Sequence, residues 1–142
     1  MDLVISFPRG VCVDASFDGL IVRTDQPVAS GGEGSAAAPF DLFLASLGTC
    51  AGYYVVAFCR ARGIPTDGIS LVEHVDFDDA TKLPTRVDLE LRLPETFPEK
   101  YRVAVARAAE HCKVKKVLEA PPVVAVRTVG GAPAETRSGD HV

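Results

Sequence analysis

Residues 39–62 read PFDLFLASLGTCAGYYVVAFCRAR, and this stretch decides the fold of the 142-residue chain. Pro39 suits the first position of a helix, because the N–H that proline lacks would have no partner there. Gly63 and then Pro65 are signals that end a helix. We therefore predict a helix from residue 39 to residue 62, which at 1.5 Å per residue would be roughly 36 Å long.

The middle of this helix has two interpretations. No charged residue occurs from Leu42 to Cys59, a run of eighteen that meets the length criterion for a membrane span. A helix buried on all sides in a protein core would have the same pattern. We favour the core helix and expect no membrane partner, because compact strand patterns flank the segment and small, polar and aromatic residues dilute its apolar character: Ser46, Gly48, Thr49, Gly52, Tyr53 and Tyr54.

The length of the helix also bears on assembly. A helix this long exceeds what one small domain covers easily on every side, and a second subunit would cover the excess. Gly48 and Gly52, together with Ala45 and Ala51, would let another helix approach closely. We therefore predict a homodimer.

The chain before the helix predicts an antiparallel meander over residues 1–24. Apolar and polar residues alternate over 11–17, and Leu20–Thr24 forms a second strand-like run. Asp18-Gly19 lies between them and signals a hairpin, because glycine accepts the positive φ that a two-residue turn requires. Residues 3–7 are expected to form a further strand.

The rest of the chain completes an α+β pattern. Residues 28–38 have no periodicity and indicate a flexible loop. After Gly68 we expect further elements: strands at 71–78 and 87–93, a helical region at 98–119, a last strand at 123–129 and a flexible tail at 130–142. Runs of strands around two helical segments predict an α+β fold in a single domain, 1–142, with antiparallel strands packed on two central helices.

Composition excludes several classes of function. The net charge is −4 with acids and bases interleaved, so no basic stripe is available for nucleic acid. The acidic start at Met1-Asp2 does not resemble a signal peptide, and we expect a cytoplasmic protein whose four cysteines are free thiols. Three histidines and no CxxC spacing give no local zinc pattern, so neither a metal nor another cofactor is expected.

The four cysteines differ in what the pattern predicts for them. Cys50 lies mid-helix among small neighbours, and Cys59, nine residues later, falls on the opposite face. Cys112 falls on the apolar stripe of the second helical region, so two inward faces could bring Cys50 and Cys112 together. A free cysteine usually acts as a small buried hydrophobe, which is our interpretation of Cys12 and Cys59.

Two segments resemble a known family. The run from Pro39 to Cys50 is similar to the first-cysteine helix of the OsmC/Ohr hydroperoxide-reductase family, in its step of eleven residues from proline to cysteine and in its leucine-rich middle. Ala109–Val114, which contains His111-Cys112, resembles the second-cysteine helix of that family. The element order and the chain length agree over nearly the whole sequence.

The resemblance implies an intertwined homodimer with two thiol sites at the subunit interface. Cys50 would be the peroxidatic thiol and Cys112 the resolving thiol. A thiolate that attacks an O–O bond becomes a sulfenic acid, which a second thiol converts to a disulfide. An external dithiol, for which a lipoylated protein is one candidate, then reduces the disulfide. The alkyl group of an organic hydroperoxide would favour an apolar pocket, for which we name Phe40, Phe43, Leu44 and Tyr53.

The resemblance also implies a cation beside the reactive thiol. Family reductases use an arginine from the N-terminal strands, for which Arg9 is our candidate and Arg23 the alternative. A glutamate after the helix-opening proline orients that arginine in the family. Here Phe40 stands at the glutamate position, and Asp41 is the nearest carboxylate. In the second motif, Lys113 stands where the family frequently has proline.

Three hypotheses follow for function. The first is a thiol-dependent hydroperoxide reductase, an enzyme in which Cys50 attacks and Cys112 resolves. The second is a non-catalytic OsmC-like dimer that binds a small apolar ligand in the same interface pocket, which Phe40 favours. The third is a redox sensor that uses the disulfide as a switch. For His111 we expect a solvated or capping role, because neighbouring helix residues point about 100° apart.

Overall fold

A computed structural model describes residues 1–131. The described chain forms two compact units: Met1–Phe43 with the residues after Val123, and Leu44–Val123. Three strands precede a long helix, and two further strands and two shorter helices follow it. The predicted α+β class is confirmed.

The first unit contains a three-stranded antiparallel sheet. Its strands are β1 (Val4–Ser6), β2 (Val13–Phe17) and β3 (Leu20–Thr24), in the order β1-β2-β3. Asp18 and Gly19 connect β2 to β3 with φ angles of 48° and 75°, the left-handed geometry of a two-residue hairpin turn. The Asp-Gly pair therefore sets the register, in which Phe17 lies opposite Leu20.

The loop after β3 is organised by Asp25, a residue that the sequence analysis passed over. Asp25 is 1% exposed, and its carboxylate accepts the backbone N–H groups of Gln26, Glu33 and Ser35 at 2.8, 3.1 and 2.9 Å. The Ser35 hydroxyl donates to it as well, at 2.8 Å. The hydrogen bonds from Ser35 hold the pKa of Asp25 well below its ordinary value. The loop that we predicted to be flexible is therefore tied to one buried carboxylate.

Replacing Asp25 with asparagine is expected to loosen this loop. An amide NH₂ would face N–H donors, so hydrogen exchange at Glu33 and Ser35 should accelerate by roughly tenfold. Because the folded pKa lies below the unfolded one, the stabilisation is present above the unfolded pKa and is lost as pH falls through the folded pKa. Asp79→Asn, at an exposed carboxylate, is the matched control. Equal exchange in the two variants would contradict the account.

The long helix α1 runs over Pro39–Arg60, two residues shorter than predicted. Its last turn tightens, because the N–H of Arg62 reaches the Cys59 carbonyl and that of Gly63 reaches the Arg60 carbonyl. The fully buried residues recur every fourth position: Leu47, Ala51, Val55 and Cys59. Residues spaced by four follow one stripe of a helix. The expectation of burial on all sides is therefore wrong for the single chain.

Among the described residues, α1 is also long and apolar enough to cross a membrane. The mean hydropathy of its best 18-residue window is 1.7, and 22% of that window is buried. The core helix of a soluble protein passes the same test, so the length criterion by itself does not decide the question.

The second unit holds the remaining elements. Strands β4 (Ser70–Phe77) and β5 (Pro84–Arg92) pair antiparallel, and helices α2 (Arg102–Ala109) and α3 (Lys113–Glu119) follow. A buried core joins the C-terminal half of α1 to the chain around α2: Val55, Cys59, Phe97 and Val105.

The predicted last strand at 123–129 is not formed. The residues from Pro121 to Gly130 adopt no regular structure, and Val123 and Val126 are both 96% exposed. A strand requires a neighbouring strand for its backbone hydrogen bonds, and none of the described strands pairs with this segment. The predicted tail, 130–142, lies outside the described residues after residue 131.

Candidate functional site

The structure brings Cys50 and Cys112 together in the second unit. Cys50 is half-buried in the middle of α1, and Cys112 is 1% exposed immediately before α3. The two side chains are close enough for each to shift the pKa of the other, and all four cysteines of the chain, each within residues 1–131, are free thiols. Neighbouring thiols can be oxidised to a disulfide where their backbone separation allows the bond.

The position of Cys112 differs from the prediction in one respect. We placed it on the apolar stripe of the second helix, but α2 ends at Ala109, and Cys112 caps the N-terminus of α3 instead. Its sulfur accepts the backbone N–H of Lys115 at 3.5 Å and donates to the carbonyl of Leu47 at 3.7 Å. The break between the two helices therefore turns the thiol inward against α1.

The surroundings of Cys50 favour its thiolate. The backbone N–H of Val114 hydrogen-bonds to the sulfur and lowers the pKa of Cys50 below its ordinary value, and the Cys112 thiol, the N–H of Lys113 and the Lys113 ammonium act in the same direction. Partial burial opposes them. A lowered pKa increases the fraction of thiolate, the nucleophilic form of cysteine, at neutral pH.

The surroundings of Cys112 act in the opposite direction. Burial raises its pKa, as does the neighbouring Cys50, although the N–H of Lys115 offsets part of the effect. In this pair Cys50 therefore loses its proton more readily than Cys112 does. Cys50 is therefore the more nucleophilic of the two sulfurs, and Cys112 is the one that more readily keeps its proton.

Variants of Lys113 test this electrostatic account. Lys113→Gln removes the ammonium but keeps the N–H, whereas Lys113→Pro removes both. Proline fits there, because Cys112 has the extended backbone (φ −48°, ψ 121°) that a following proline requires. With a less stabilised thiolate, alkylation of Cys50 at pH 7 should slow roughly two- to fivefold, more in the proline variant.

The matched control for Lys113 is Lys116→Gln, which removes a cation from the far end of α3. It should leave the rate of Cys50 alkylation unchanged. If Cys50 in Lys113→Pro were alkylated as fast as in the wild-type protein, Lys113 would have no part in stabilising the thiolate.

The predicted cation, Arg9, lies in the first unit. Its guanidinium is 3.3 Å from the Glu33 carboxylate, and the neighbouring Cys12 side chain and Glu33 both raise the pKa of Arg9. Asp41 lies in the first turn of α1. Arg23, the alternative cation, lies on β3 and lines a cavity with Arg9 and Cys12. The roles of these residues toward the Cys50 thiolate stay predictions.

The predicted substrate residues all lie on α1. The rings of Phe40 and Phe43 stack with centroids 5.8 Å apart, and the two side chains are 42% and 37% exposed. Leu44 is half-buried, and Tyr53 is 67% exposed with its ring against Tyr54 at 5.3 Å. Aromatic and aliphatic surface is thus available on α1, and its role in binding stays a prediction.

The other cysteine and histidine side chains near the site have positions typical of structural and surface residues. Cys59 is fully buried, and burial raises its pKa, as expected for a small hydrophobe. His111 is exposed, with its ring 6.3 Å from that of Tyr54. Within residues 1–131, no cluster of three or more His, Cys, Asp or Glu side chains is arranged to hold a metal ion.

A groove that the sequence analysis did not foresee borders the buried thiol. It has a volume of about 500 Å³ and is formed by residues of α1, β5, α2 and α3. Its walls are mostly aliphatic, and Cys112 and Lys115 line it together with Leu47, Leu89 and Ala109. The groove gives Cys112 an apolar surrounding, which agrees with a thiol that keeps its proton.

Comparison with known proteins supports the resemblance. The family model described as OsmC-like protein matches residues 32–127, a range that includes both Cys50 and Cys112. No curated protein matches the sequence.

Several solved structures share the fold. One is an osmotic stress induced and detoxification response protein of Psychrobacter arcticus 273-4, with 19% identity and a TM-score of 0.68 over 82% of this chain and 86% of that one. Another is an organic hydroperoxide resistance protein OsmC of Legionella pneumophila, with 20% identity and a TM-score of 0.53 over 84% and 88% of the two chains.

A third structure of the same fold comes from Vibrio cholerae O1 biovar eltor. It is an organic hydroperoxide resistance protein with captopril bound in one of its active sites, with 17% identity and a TM-score of 0.52 over 85% of this chain and 86% of that one. At these identities the likeness shows the fold alone.

Proposed function

The chain belongs to the OsmC-like family, and from that premise we propose that it reduces hydroperoxides with Cys50 and Cys112. One observation carries the proposal: the two thiols are neighbours that influence each other, and their pKa values are shifted in opposite directions, down for Cys50 and up for Cys112. Two cysteines that only fill space in a core do not require different pKa values. A nucleophilic thiol and its resolving thiol do, because one must ionise more readily than the other.

The proposed reaction balances with these two groups and a dithiol. The Cys50 thiolate attacks one oxygen of the O–O bond, becomes a sulfenic acid and releases an alkoxide, which takes up a proton as the alcohol. Cys112 then loses its proton and attacks the Cys50 sulfur, which forms the disulfide and releases water. An external dithiol returns both cysteines to thiols and is itself oxidised to a disulfide.

Residues outside the pair have supporting roles in the proposal. Lys113 contributes positive charge beside Cys50, and we assign Arg9 the role of a second cation, with Asp41 as its candidate orienting carboxylate. Phe40, Phe43, Leu44 and Tyr53 are proposed to contact the alkyl group of an organic hydroperoxide. The physiological dithiol, with a lipoylated protein as one candidate, and the cytoplasmic location are part of the same proposal.

We also propose that the protein is a homodimer in which a second copy covers the exposed face of α1. That face carries small and apolar residues with no charge between Asp41 in the first turn and Arg60 in the last: Ala45, Thr49, Tyr53, Val56 and Ala57. Exposed apolar stripes of this length are rare on monomers.

Sedimentation tests the dimer directly. The wild-type protein should sediment as a dimer at micromolar concentration, and Val56→Glu should shift it toward the monomer because a carboxylate would be buried in the interface. Val103→Glu, at an exposed valine of α2, is the matched control. A wild-type monomer under these conditions would contradict the proposal.

Catalytic turnover tests the proposed reaction. Purified protein with excess dithiol should consume many equivalents of cumene hydroperoxide, and more slowly hydrogen peroxide, which has no alkyl group to bind. The reference is the same protein with its accessible thiols alkylated. Consumption no faster than that reference with both peroxides would overturn the reductase proposal.

One observation favours a second candidate. Phe40 and Phe43 form a stacked aromatic pair where the resemblance leads us to expect a carboxylate, and such a pair suits a small apolar ligand without chemistry. A binder would leave both peroxides intact. A redox sensor would form the disulfide once and be reduced too slowly for turnover.

A further inference from the structure

One face of the β4–β5 sheet carries a charged residue in an aliphatic setting. The register places Leu71 opposite Leu91 and Val75 opposite Val87, and between these two pairs Glu73 lies opposite Leu89. Residues that alternate along a strand share a face, as do directly paired residues across strands. Glu73 is therefore the one carboxylate in this group of six positions.

The Glu73 carboxyl packs against α1. Its Oε2 lies 2.6 Å from where a Cβ on Gly48 would be, so only glycine allows the approach, and the Gly48 backbone offsets part of the effect of burial on the pKa of Glu73. Among the described residues, the buried Oε1 has no hydrogen-bond partner. Burial raises the pKa of Glu73, the usual consequence for a carboxyl removed from water.

A single peptide group joins Glu73 to the thiol pair. The Gly48 end of the peptide bond between Leu47 and Gly48 lies beside the Glu73 carboxyl, and the C=O of the same bond accepts the Cys112 S–H at 3.7 Å. A carboxylate beside the N–H end of an amide polarises that amide, so it makes the carbonyl oxygen at the other end a stronger acceptor.

We propose that Glu73 is a positioning residue that acts through the Leu47–Gly48 peptide to keep the proton on Cys112. This deepens the proposed function, on whose two thiol roles it rests: with Cys112 held as a thiol, Cys50 is the sulfur that meets the peroxide. The buried carboxyl lowers the stability of the fold, because this aliphatic face would be more stable with a leucine at position 73.

The test measures the protonation of Cys112 without any peroxide. In the Cys50→Ser background, the rate at which Cys112 is alkylated is followed against pH by peptide mass spectrometry, with and without Glu73→Gln. The glutamine keeps the shape and removes the charge. We expect the alkylation profile to move to lower pH, with a rate at neutral pH roughly three- to tenfold higher.

Controls isolate Glu73 from the other charges around Cys112. Every sample carries the same Cys50→Ser change, and the charged groups that line the groove beside Cys112 stay in place: Asp88 from β5, Glu110 after α2 and Lys115 from α3. Glu90→Gln removes a carboxylate from the opposite, exposed face of the same sheet and should leave the profile unchanged.

A second variant separates positioning from a structural role. Glu73→Leu should raise the unfolding temperature and also shift the Cys112 profile to lower pH. If the unfolding temperature changes and the profile of both Glu73 variants matches that of Glu90→Gln, Glu73 is only structural and the inference is overturned. The alkylation assay measures no turnover. A failed reductase test would therefore not change the result for Glu73, and a negative result for Glu73 would not change the outcome of the reductase test.

Discussion

Cys50→Ser is expected to lower the rate of cumene hydroperoxide reduction by at least about 10³-fold. A serine hydroxyl has almost no ionised fraction at neutral pH, and the N–H groups of Val114 and Lys113 cannot compensate for that. The oxygen is also a much weaker nucleophile toward the O–O bond than sulfur. The measurement is the initial rate of peroxide loss with excess dithiol, on protein whose folding is checked by its unfolding temperature.

The matched control for Cys50 is Cys59→Ala, on the same helix. Cys59 is fully buried, and burial raises its pKa, so its removal should reduce stability slightly and leave the initial rate within about twofold. Residual activity in Cys50→Ser that matches the control variant would show that another group attacks the peroxide.

Cys112→Ser is expected to abolish turnover while leaving the first event intact. The Cys50 thiolate should still consume one equivalent of peroxide, since its main stabilising contact is the Val114 N–H rather than the Cys112 thiol. Without a resolving thiol the sulfenic acid persists, and further peroxide should oxidise it to the sulfinic acid. Steady-state consumption should then fall by about 10²-fold or more.

Mass spectrometry distinguishes the two stages in Cys112→Ser. The Cys50 peptide should gain one oxygen atom with stoichiometric peroxide and two with an excess, whereas the wild-type protein should gain none. Wild-type turnover in Cys112→Ser would mean that the external dithiol attacks the Cys50 sulfenic acid directly, and that Cys112 has no role as a resolving thiol.

The parts of the fold that the sequence predicts are those with local causes. Asp18-Gly19 requires only its own φ angles to make the hairpin, and Pro39 and Gly63 mark the ends of α1 by what their backbones can and cannot do. Alternation gives β4 and β5 for the same reason. These signals are carried within a few residues of the structure they produce.

The features that the sequence does not predict depend on distant partners. Asp25 organises a loop through groups eight and ten residues away, and nothing in its neighbours marks it as buried. The segment at 123–129 has the pattern of a strand but lacks an edge to pair with in the described chain. The residue pattern shows that a segment is able to form a strand, but whether the strand forms depends on a partner strand in the tertiary structure.

The candidate site divides in the same way. Helical spacing and family resemblance together predict the pairing of Cys50 with Cys112. The opposite pKa shifts come from the backbone of α3, from burial and from the proximity of the two thiols. These causes arise only in the folded chain, so the residue types alone do not predict the shifts. Alternation along β4 places Glu73 on the same face as Leu71 and Val75, but its contact with Gly48 becomes visible only when β4 packs on α1.

Disulfide mapping after a single equivalent of peroxide tests the central claim most directly. Reduced protein is treated with one equivalent of cumene hydroperoxide and digested without reductant, and the linked peptides are identified by mass. The account predicts a Cys50–Cys112 disulfide, with the loss of two hydrogen atoms from the intact chain, and unmodified Cys12 and Cys59. Four free thiols after the peroxide treatment, or a disulfide that includes Cys12 or Cys59, would contradict it.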